Sequence, residues 1–360
     1  MSQDYEITRF RPEHLPGVLD VLGALWTWGR DTREKLFRWK YVENPNSDEP
    51  LGIVALHGGQ VAGFRGYFAN RYGTVPGGPD FVILHPGDTC VDPAHRNRNL
   101  SVAMGNFAKQ YDRTRYRIFM NMTSSANSLP GYLKMGFVPL ASKVHLTRHG
   151  ANPLDWLRSR QAQQPRPLTD SRIRFGRFGD VLVTDSPLPA EMASVAEHRR
   201  PGAPVLRPRQ DQAFFAWRYR NPVQKYVFHF LMDRDSVRGY VAMGVSPNNR
   251  IGEILDYGDR GDGAVDGILR HVVRSGAFLR LKVRRYGVDE RLAAAVRTLG
   301  FDIDPPWRRI LGRRLGESAA LPLLIRPIAD ACAEDDWFID GLDVRRIENW
   351  RLKPICSDAD

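Results

Sequence analysis

The chain contains one pattern twice. Residues 37–45 read FRWKYVENP and residues 215–222 read FAWRYRNP, so that Phe37, Trp39, Tyr41 and Pro45 match Phe215, Trp217, Tyr219 and Pro222. Behind each motif come an apolar run, a short polar turn and a second apolar run. These are LGIVAL, HGGQ and VAGFRGYF in the first copy, and YVFHFLM, DRDS and VRGYVAM in the second. Each reads as a β-hairpin. Further on, YLKMGF at 132–137 is echoed by VRTLGF at 296–301. Several features in one order and at similar spacing imply two copies of one unit. The Pro-, Gln- and Arg-rich stretch 150–170 reads as a linker, with a short helix in NPLDWLRSR. The expected division is therefore 1–149, the linker 150–170, 171–345, and a tail at 346–360.

Within the first copy, helical periodicity covers 12–27 and 32–41. A hairpin follows at 51–68, then a long strand at 80–91 interrupted at Pro86-Gly87. A helix from Leu100 to Tyr111 sets Leu100, Met104, Phe107 and Tyr111 on one face. The strand RIFMNM, a short helix around SLPGYLKMG, and the strands FVPL and KVHLTR complete the unit. The expected fold is α/β, with two tandem domains, each a mixed twisted sheet flanked by helices.

Composition narrows the setting. No apolar run is long enough to span a membrane as a helix, and the polar N-terminus is not a signal peptide. The cysteines Cys90, Cys332 and Cys356 are too few and too scattered for a disulfide framework or a zinc site, so no metal is expected and the compartment reads as cytoplasmic. The net charge of +11 favours anionic ligands, and arginine suits bidentate phosphate contacts.

The stretch most loaded with chemistry is VDPAHRNRNLSVAM at 91–104. A strand ends at Val91, a basic and polar loop follows, and a helix begins near Leu100. Unpaired N–H groups and the helix dipole hold phosphate at such a place, with Arg96 and Arg98 adding charge-assisted bonds. Asparagine is the non-glycine residue best suited to the left-handed region, so Asn97 and Asn99 can keep a backbone path that glycine usually takes.

On these residues the chain resembles the GNAT N-acyltransferase superfamily, whose loop reads Val-x-Pro-x-x-Arg-Gly-x-Gly-x-(Gly/Ala). Val91, Pro93 and Arg96 match, while Asn97, Asn99 and Ser101 stand at the small-residue positions. A second landmark, Asn-x-x-(Ala/Ser)-x-x-x-Tyr-x-x-x-Gly-Phe, is met by Ser128, Tyr132, Gly136 and Phe137, with Ser125 at the Asn position. The resemblance covers residues 5–147, and the second copy at the level of elements only. It implies acetyl-CoA or another acyl-CoA as substrate. The pyrophosphate would lie on Arg96, Asn97, Arg98, Asn99, Leu100 and Ser101, and the pantetheine along Thr89, Cys90 and Val91. Ser125 joins this set, and Tyr132 would protonate the departing thiolate. In the second copy Asp259 and Asp262 would repel a pyrophosphate, so no coenzyme is expected there.

For the base the sequence leaves Asp88, His85 and Glu43 open in the first copy, with Asp88 foremost by its place near the coenzyme strand. Asp256, Tyr257 and Asp259 are open in the second. Tyr132 also reads as a core tyrosine, and Cys90 as an inert buried thiol. The two Phe-x-Trp-x-Tyr motifs read as core contacts.

The implied activity is transfer of an acetyl or short acyl group to a primary amine, with the acceptor in the cleft between the copies. The tail DDWFIDGLDVRR (Asp335, Trp337, Asp340, Asp343) is similar to that of some nucleotide-sugar N-acyltransferases, which points to an amino sugar on a nucleotide. Two other readings stand beside it. One is a Fem-type aminoacyl-tRNA-dependent transferase, which lacks the coenzyme loop. The other is a non-catalytic interaction protein on a decayed GNAT fold. Nucleic acid is not expected as a partner, and a homodimer is compatible with the sequence.

Overall fold

The computed structural model describes residues 4–142, 144–149, 171–174, 179–198, 202–261, 263–286, 290–301 and 321–357. The expected linker and its short helix lie outside them, as does Asp262. Among the described residues no helix is long and apolar enough to cross a membrane.

Two large mixed sheets carry the fold. In the first, β1 (Tyr5–Arg9), β2 (Gly52–His57), β3 (Gln60–Val75) and β4 (Asp80–Val91) are antiparallel neighbours. β5 (Tyr116–Asn121) runs parallel to β4. In the second, β8 (Ser171–Arg174), β9 (Asp180–Thr184), β11 (Lys225–Asp233), β12 (Ser236–Val245) and β13 (Ile251–Asp259) repeat the antiparallel run. β14 (Arg280–Arg285) runs parallel to β13.

The sheets exchange strands. β6 (Val138–Ser142) stays with the first sheet, but β7 (Val144–His149) crosses to the second and pairs with β14. In return β15 (Pro322–Pro327) inserts between β5 and β6. β10 (Val205–Pro208) adds to the end of β3, covering an edge that the shorter β2 leaves bare. Sheet membership thus crosses the 149/150 position in both directions.

Helices cover both faces of the first sheet. α1 (Leu15–Leu22) and α2 (Arg30–Phe37) pack Leu19, Leu22 and Phe37 on the face of Phe64, Phe68 and Ile83. α3 (Leu100–Phe107) and α4 (Leu129–Lys134) pack Leu100, Met104 and Tyr132 on the face of Tyr67, Leu84 and Phe119. The second sheet carries α5 (Pro189–Glu197), α6 (Gln212–Arg218), α7 (Ala264–Ser275) and α8 (Glu290–Thr298). The core on the α1 and α2 side continues through Trp39, Trp217, Phe215 and Trp350 into the second half.

Two sequence expectations need correction. The helix expected over 12–27 is a 3-10 turn at Pro12–His14 followed by α1, which stops at Leu22. The chain then turns so that the Trp26 indole reaches Asp88, at 3.2 Å from Nε1 to Oδ1. The helix expected over 32–41 is α2 followed by a π-helical turn at Arg38–Val42. Trp39, Lys40 and Tyr41, three neighbours on that turn, are all buried, because the turn is enclosed between the first sheet and the second half.

Candidate active site

β4 and β5 pair only at Val82–Tyr116, Ile83–Ile118 and Leu84–Phe119. From His85 to Val91, β4 has β3 alone as neighbour, so the two parallel strands part and leave a V-shaped gap. The strand is continuous through Pro86-Gly87, contrary to the expected interruption. Its irregularity is a bulge one residue later. The β3–β4 register shifts between Phe64–Cys90 and Gly66–Gly87, and Asp88 has a φ of 46°. A bulge of this kind re-aims backbone groups at the end of a strand.

The loop after β4 has the path that its asparagines allow. Asp92 caps a 3-10 turn at Pro93–His95 by accepting from the Ala94 N–H at 2.8 Å. Asn97 and Asn99 sit at φ of 62° and 58°, in the left-handed region, and Asn99 precedes the first residue of α3. The first helical bonds run from Val102 and Ala103 N–H to the Asn99 carbonyl, at 3.1 and 3.0 Å. Among the described residues, the backbone N–H groups of 97–101 have no acceptor. No acid lies in the first turn of α3. Arg96 and Arg98 are exposed at the rim, and Arg96 Nε donates to the Val91 carbonyl at 3.2 Å. Sequence reasoning missed the residues beside this loop. The Tyr5 hydroxyl and His95 Nδ1 are 2.7 Å apart, the His57 ring lies 5.0 Å from each of their rings, and Arg98 stands over Tyr5.

Tyr132 lies on α4, buried on the same side of the sheet as α3, with its ring edge-on to Phe137 at 5.0 Å. Below it is Arg65, a buried β3 residue that the sequence reading passed over. Its guanidinium is 4.9 Å from the Tyr132 ring centre, and its Nη1 donates to the Ser101 carbonyl at 3.2 Å. The signal was one charge inside the apolar run VAGFRGYF. Thr89, also at the bulge, has a buried hydroxyl with no partner. Ser125 is committed elsewhere: its N–H donates to Ser128 Oγ at 2.9 Å, and the two hydroxyls are 3.1 Å apart, closing the turn into α4.

The expected base, Asp88, is held by three donors. Lys40 Nζ and the Tyr41 hydroxyl donate to Oδ2 at 2.6 and 2.5 Å, and Trp26 donates to Oδ1. The second half carries the same device. Asp256 lies at the matching bulge of β13, fully buried, bound by Lys353 at 2.7 Å, Gln210 at 2.9 Å and Tyr240 at 3.1 Å. A carboxylate satisfied in this way is a structural anchor and has little capacity left to take a substrate proton. Glu43 is exposed and faces Arg220 at 3.5 Å. His85 is buried with neither ring nitrogen in a hydrogen bond, and burial pushes its pKa down to about 3, opposed by the nearby Met120 backbone. It is therefore a neutral imidazole at the throat of the gap. Cys90 donates to the Val21 carbonyl at 3.2 Å, and burial holds its thiol above the ordinary value, so it is no acyl-enzyme nucleophile.

The corresponding loop of the second half carries acids where the first half carries arginines. Gly263 precedes α7 in the left-handed conformation, as Asn99 does for α3. However, the Asp259 carboxylate accepts the Gly261 N–H at 2.7 Å, and Asp266 stands in the first turn of α7. The large cleft of about 1180 Å³ also differs from expectation. It is lined by Val75, Arg207, Tyr257, Asp266, Ala295 and Lys353, among others. Val75 is at the far end of the β3–β4 ribbon from Val91, roughly 40 Å away at the rise of a strand. That end of the cleft lies away from the gap in the first half.

A parallel pair that splays beyond a bulge, followed by a turn into the next helix, is the fold of the GCN5-related N-acetyltransferases, here built twice with exchanged strands. Solved structures bear this out. A GCN5-related N-acetyltransferase from Anabaena variabilis aligns with a TM-score of 0.58 at 12% identity, over 90% of this chain and 73% of that one. A probable N-acyltransferase from Enterococcus faecalis gives 0.57 at 10%, over 90% and 72%. Eis1 from Mycobacterium abscessus gives 0.52 at 14%, over 90% and 73%. No protein-family model and no curated protein sequence matches the chain.

Proposed function

We propose that the first half is an acyl-CoA-dependent N-acyltransferase acting on a primary amine. The observation that carries this reading is the row of free N–H groups at 97–101, held open by two left-handed asparagines beside the β4–β5 gap. Those groups, with Arg96 and Arg98, bind the pyrophosphate of the coenzyme. The freed edge of β4 at residues 85–91 pairs with the pantetheine. A backbone N–H of the bulge around Asp88–Cys90 stabilises the oxyanion that forms when the amine attacks the thioester carbonyl. Tyr132 gives its proton to the leaving thiolate. The amine arrives neutral and loses its proton to water in the gap, because Asp88 and Glu43 are engaged and His85 holds protons weakly. Among the described residues no cluster of His, Cys, Asp or Glu suits a metal ion, and no step here calls for one.

A nucleotide-linked amino sugar was suggested by the tail, yet two of its four residues, Trp337 and Asp343, are spent on packing, while Asp335 and Asp340 are exposed. Arg345 covers the buried Trp337 at 5.4 Å and pairs with Asp343 and Glu334. The reading therefore rests at the level of an amine acceptor. The non-catalytic alternative drew on the missing glycines, and it weakens because Asn97 and Asn99 take up the glycine-like backbone path. Titration calorimetry with acetyl-CoA and a longer acyl-CoA tests the proposal. Saturable one-site binding, abolished or weakened by Arg96→Ala, supports it. Folded protein that binds neither compound overturns it.

A further inference from the structure

The internal repeat serves as a control for Arg65. Two registers align the halves, Gly63–Val91 in β3–β4 and Gly239–Asp259 in β12–β13. They place Arg65 opposite Val241 in the repeat. The second landmark aligns in the same way. Gly136 and Gly300 have φ of 85° and 77°, and the Phe137 and Phe301 N–H groups donate to the Tyr132 and Val296 carbonyls at 3.1 and 3.0 Å. Tyr132 thus corresponds to Val296. The half whose loop carries acids packs two fully buried valines where the half whose loop carries arginines buries a cation and a phenol. The fold itself is satisfied by valine at both places, so the polar pair in the first half is there for another reason.

The surroundings of Arg65 say which. It is 3% exposed, its Nε makes no hydrogen bond, and its Nη1 donates to the Ser101 carbonyl on α3. The titratable groups acting on it are the Tyr67 and Tyr132 phenols, and no carboxylate is among them. A buried cation without a counter-ion is costly and favours negative charge that appears transiently beside it. Tyr67 is not the group to supply that charge, since burial pushes its pKa up to about 12 and keeps it protonated.

We infer that Arg65 is a positioning residue for Tyr132: it orients the phenol and stabilises the phenolate left when Tyr132 protonates the thiolate. This rests on the reading proposed above. In the step, the tetrahedral intermediate collapses and the C–S bond breaks. Its electron pair goes to sulfur, and sulfur takes the Tyr132 proton. The phenolate stays paired with Arg65 until the proton released by the acylated amine returns to it through water. The sum is amine plus thioester to amide plus thiol.

The experiment compares wild type, Arg65→Val, Arg65→Lys, Tyr132→Phe and the Arg65→Val/Tyr132→Phe double variant. Acetyl-CoA binding is measured by calorimetry, and turnover across pH with an amine acceptor. Tyr132→Phe is expected to lower kcat about 100-fold and Arg65→Val about 10-fold, with acetyl-CoA affinity within about 2-fold of wild type. The double variant should be no slower than Tyr132→Phe alone, since the two act as one unit. Arg65→Lys should recover part of the rate, and the alkaline limb of the Arg65→Val profile should move to higher pH. Unchanged kcat in Arg65→Val, or fully additive losses, overturns the inference while leaving the acyltransferase reading intact. Failure of wild type to bind acetyl-CoA removes both. Valine at the matching position of the second half argues that Arg65→Val folds. If it melts early, Arg65→Lys carries the comparison: a partial loss of kcat, absent in the Tyr132→Phe background and with acetyl-CoA affinity kept, supports the role of the cation, whereas a wild-type rate or a loss of acetyl-CoA binding in it overturns the role.

Discussion

Trp39 and Trp217 stack on each other and exchange hydrogen bonds. Their ring centres are 5.5 Å apart at 18°. Trp39 Nε1 donates to the Trp217 carbonyl at 3.0 Å, and Trp217 Nε1 donates to the Trp39 carbonyl at 2.8 Å. The repeated motif therefore meets its own copy across a local two-fold relation. Each copy of the motif is the packing partner of the other, so the same residue types are required on both sides.

Replacing either tryptophan by alanine is expected to cost about 3–5 kcal/mol, because each is a large buried side chain in a continuous core. The double replacement should cost clearly less than the sum, since both remove the same contact. Chemical denaturation of the three variants reads this directly, and additive losses would mean that the stack contributes little beyond burial.

Asn97 and Asn99 divide by conformation. Alanine at either position must adopt φ near 60°, at about 1–2 kcal/mol, and should weaken acetyl-CoA binding by roughly 5- to 30-fold. Glycine removes that strain and should bind at least as well as wild type. Calorimetry separates the cases, and alanine variants that bind like wild type would show the loop to be conformationally free.

Asp88→Asn should act on stability. It removes the counter-charge of Lys40, itself 5% exposed at the side chain, at about 3–5 kcal/mol. Replacing both, as Lys40→Met/Asp88→Leu, should restore much of the loss. A Tm unchanged in Asp88→Asn, with the acid limb of kcat/KM abolished, would return Asp88 to the role of base.

Stability should also fall in mild acid. His85 and His229 have pKa values pushed down to about 3, in both cases first by burial, with His271 adding to the effect on His229. The unfolded chain protonates them near 6.5, so it binds more protons than the native protein between about 3 and 6.5. Their contribution is complete above about pH 6.5 and is lost as pH falls through that window, by about 2 kcal/mol for each histidine at pH 5. Urea midpoints at pH 7.5 and 5 measure the slope, and His85→Phe/His229→Phe should flatten it. An equal slope in that variant would assign the acid sensitivity to other groups.

Sequence reasoning reached the architecture because hydrophobic period, turn residues and a repeated motif are local properties. It also anticipated left-handed asparagines in the loop after β4, since tolerance of positive φ belongs to the residue itself. It read Asp88 as a base because a carboxylate near a coenzyme strand looks free in one dimension. Its donors Trp26, Lys40 and Tyr41 lie more than forty residues away along the chain, so only folding reveals that the carboxylate is already satisfied. Ser125 was assigned to the coenzyme by position, while its partner Ser128 stood three residues on.

The amino-acid sequence by itself determined two α/β units, the path of the loop at 91–104 and the difference in charge between the two loops. These follow from backbone preference and local patterning. The tertiary structure decided which strands the sheets trade, with β7 going one way and β15 the other, because edge pairing depends on which edges are exposed once both sheets exist. It also decided that Arg65 lies under Tyr132. A pairing between a strand and a helix leaves no period in the sequence, and the register of β3 on β4 sets it in three dimensions.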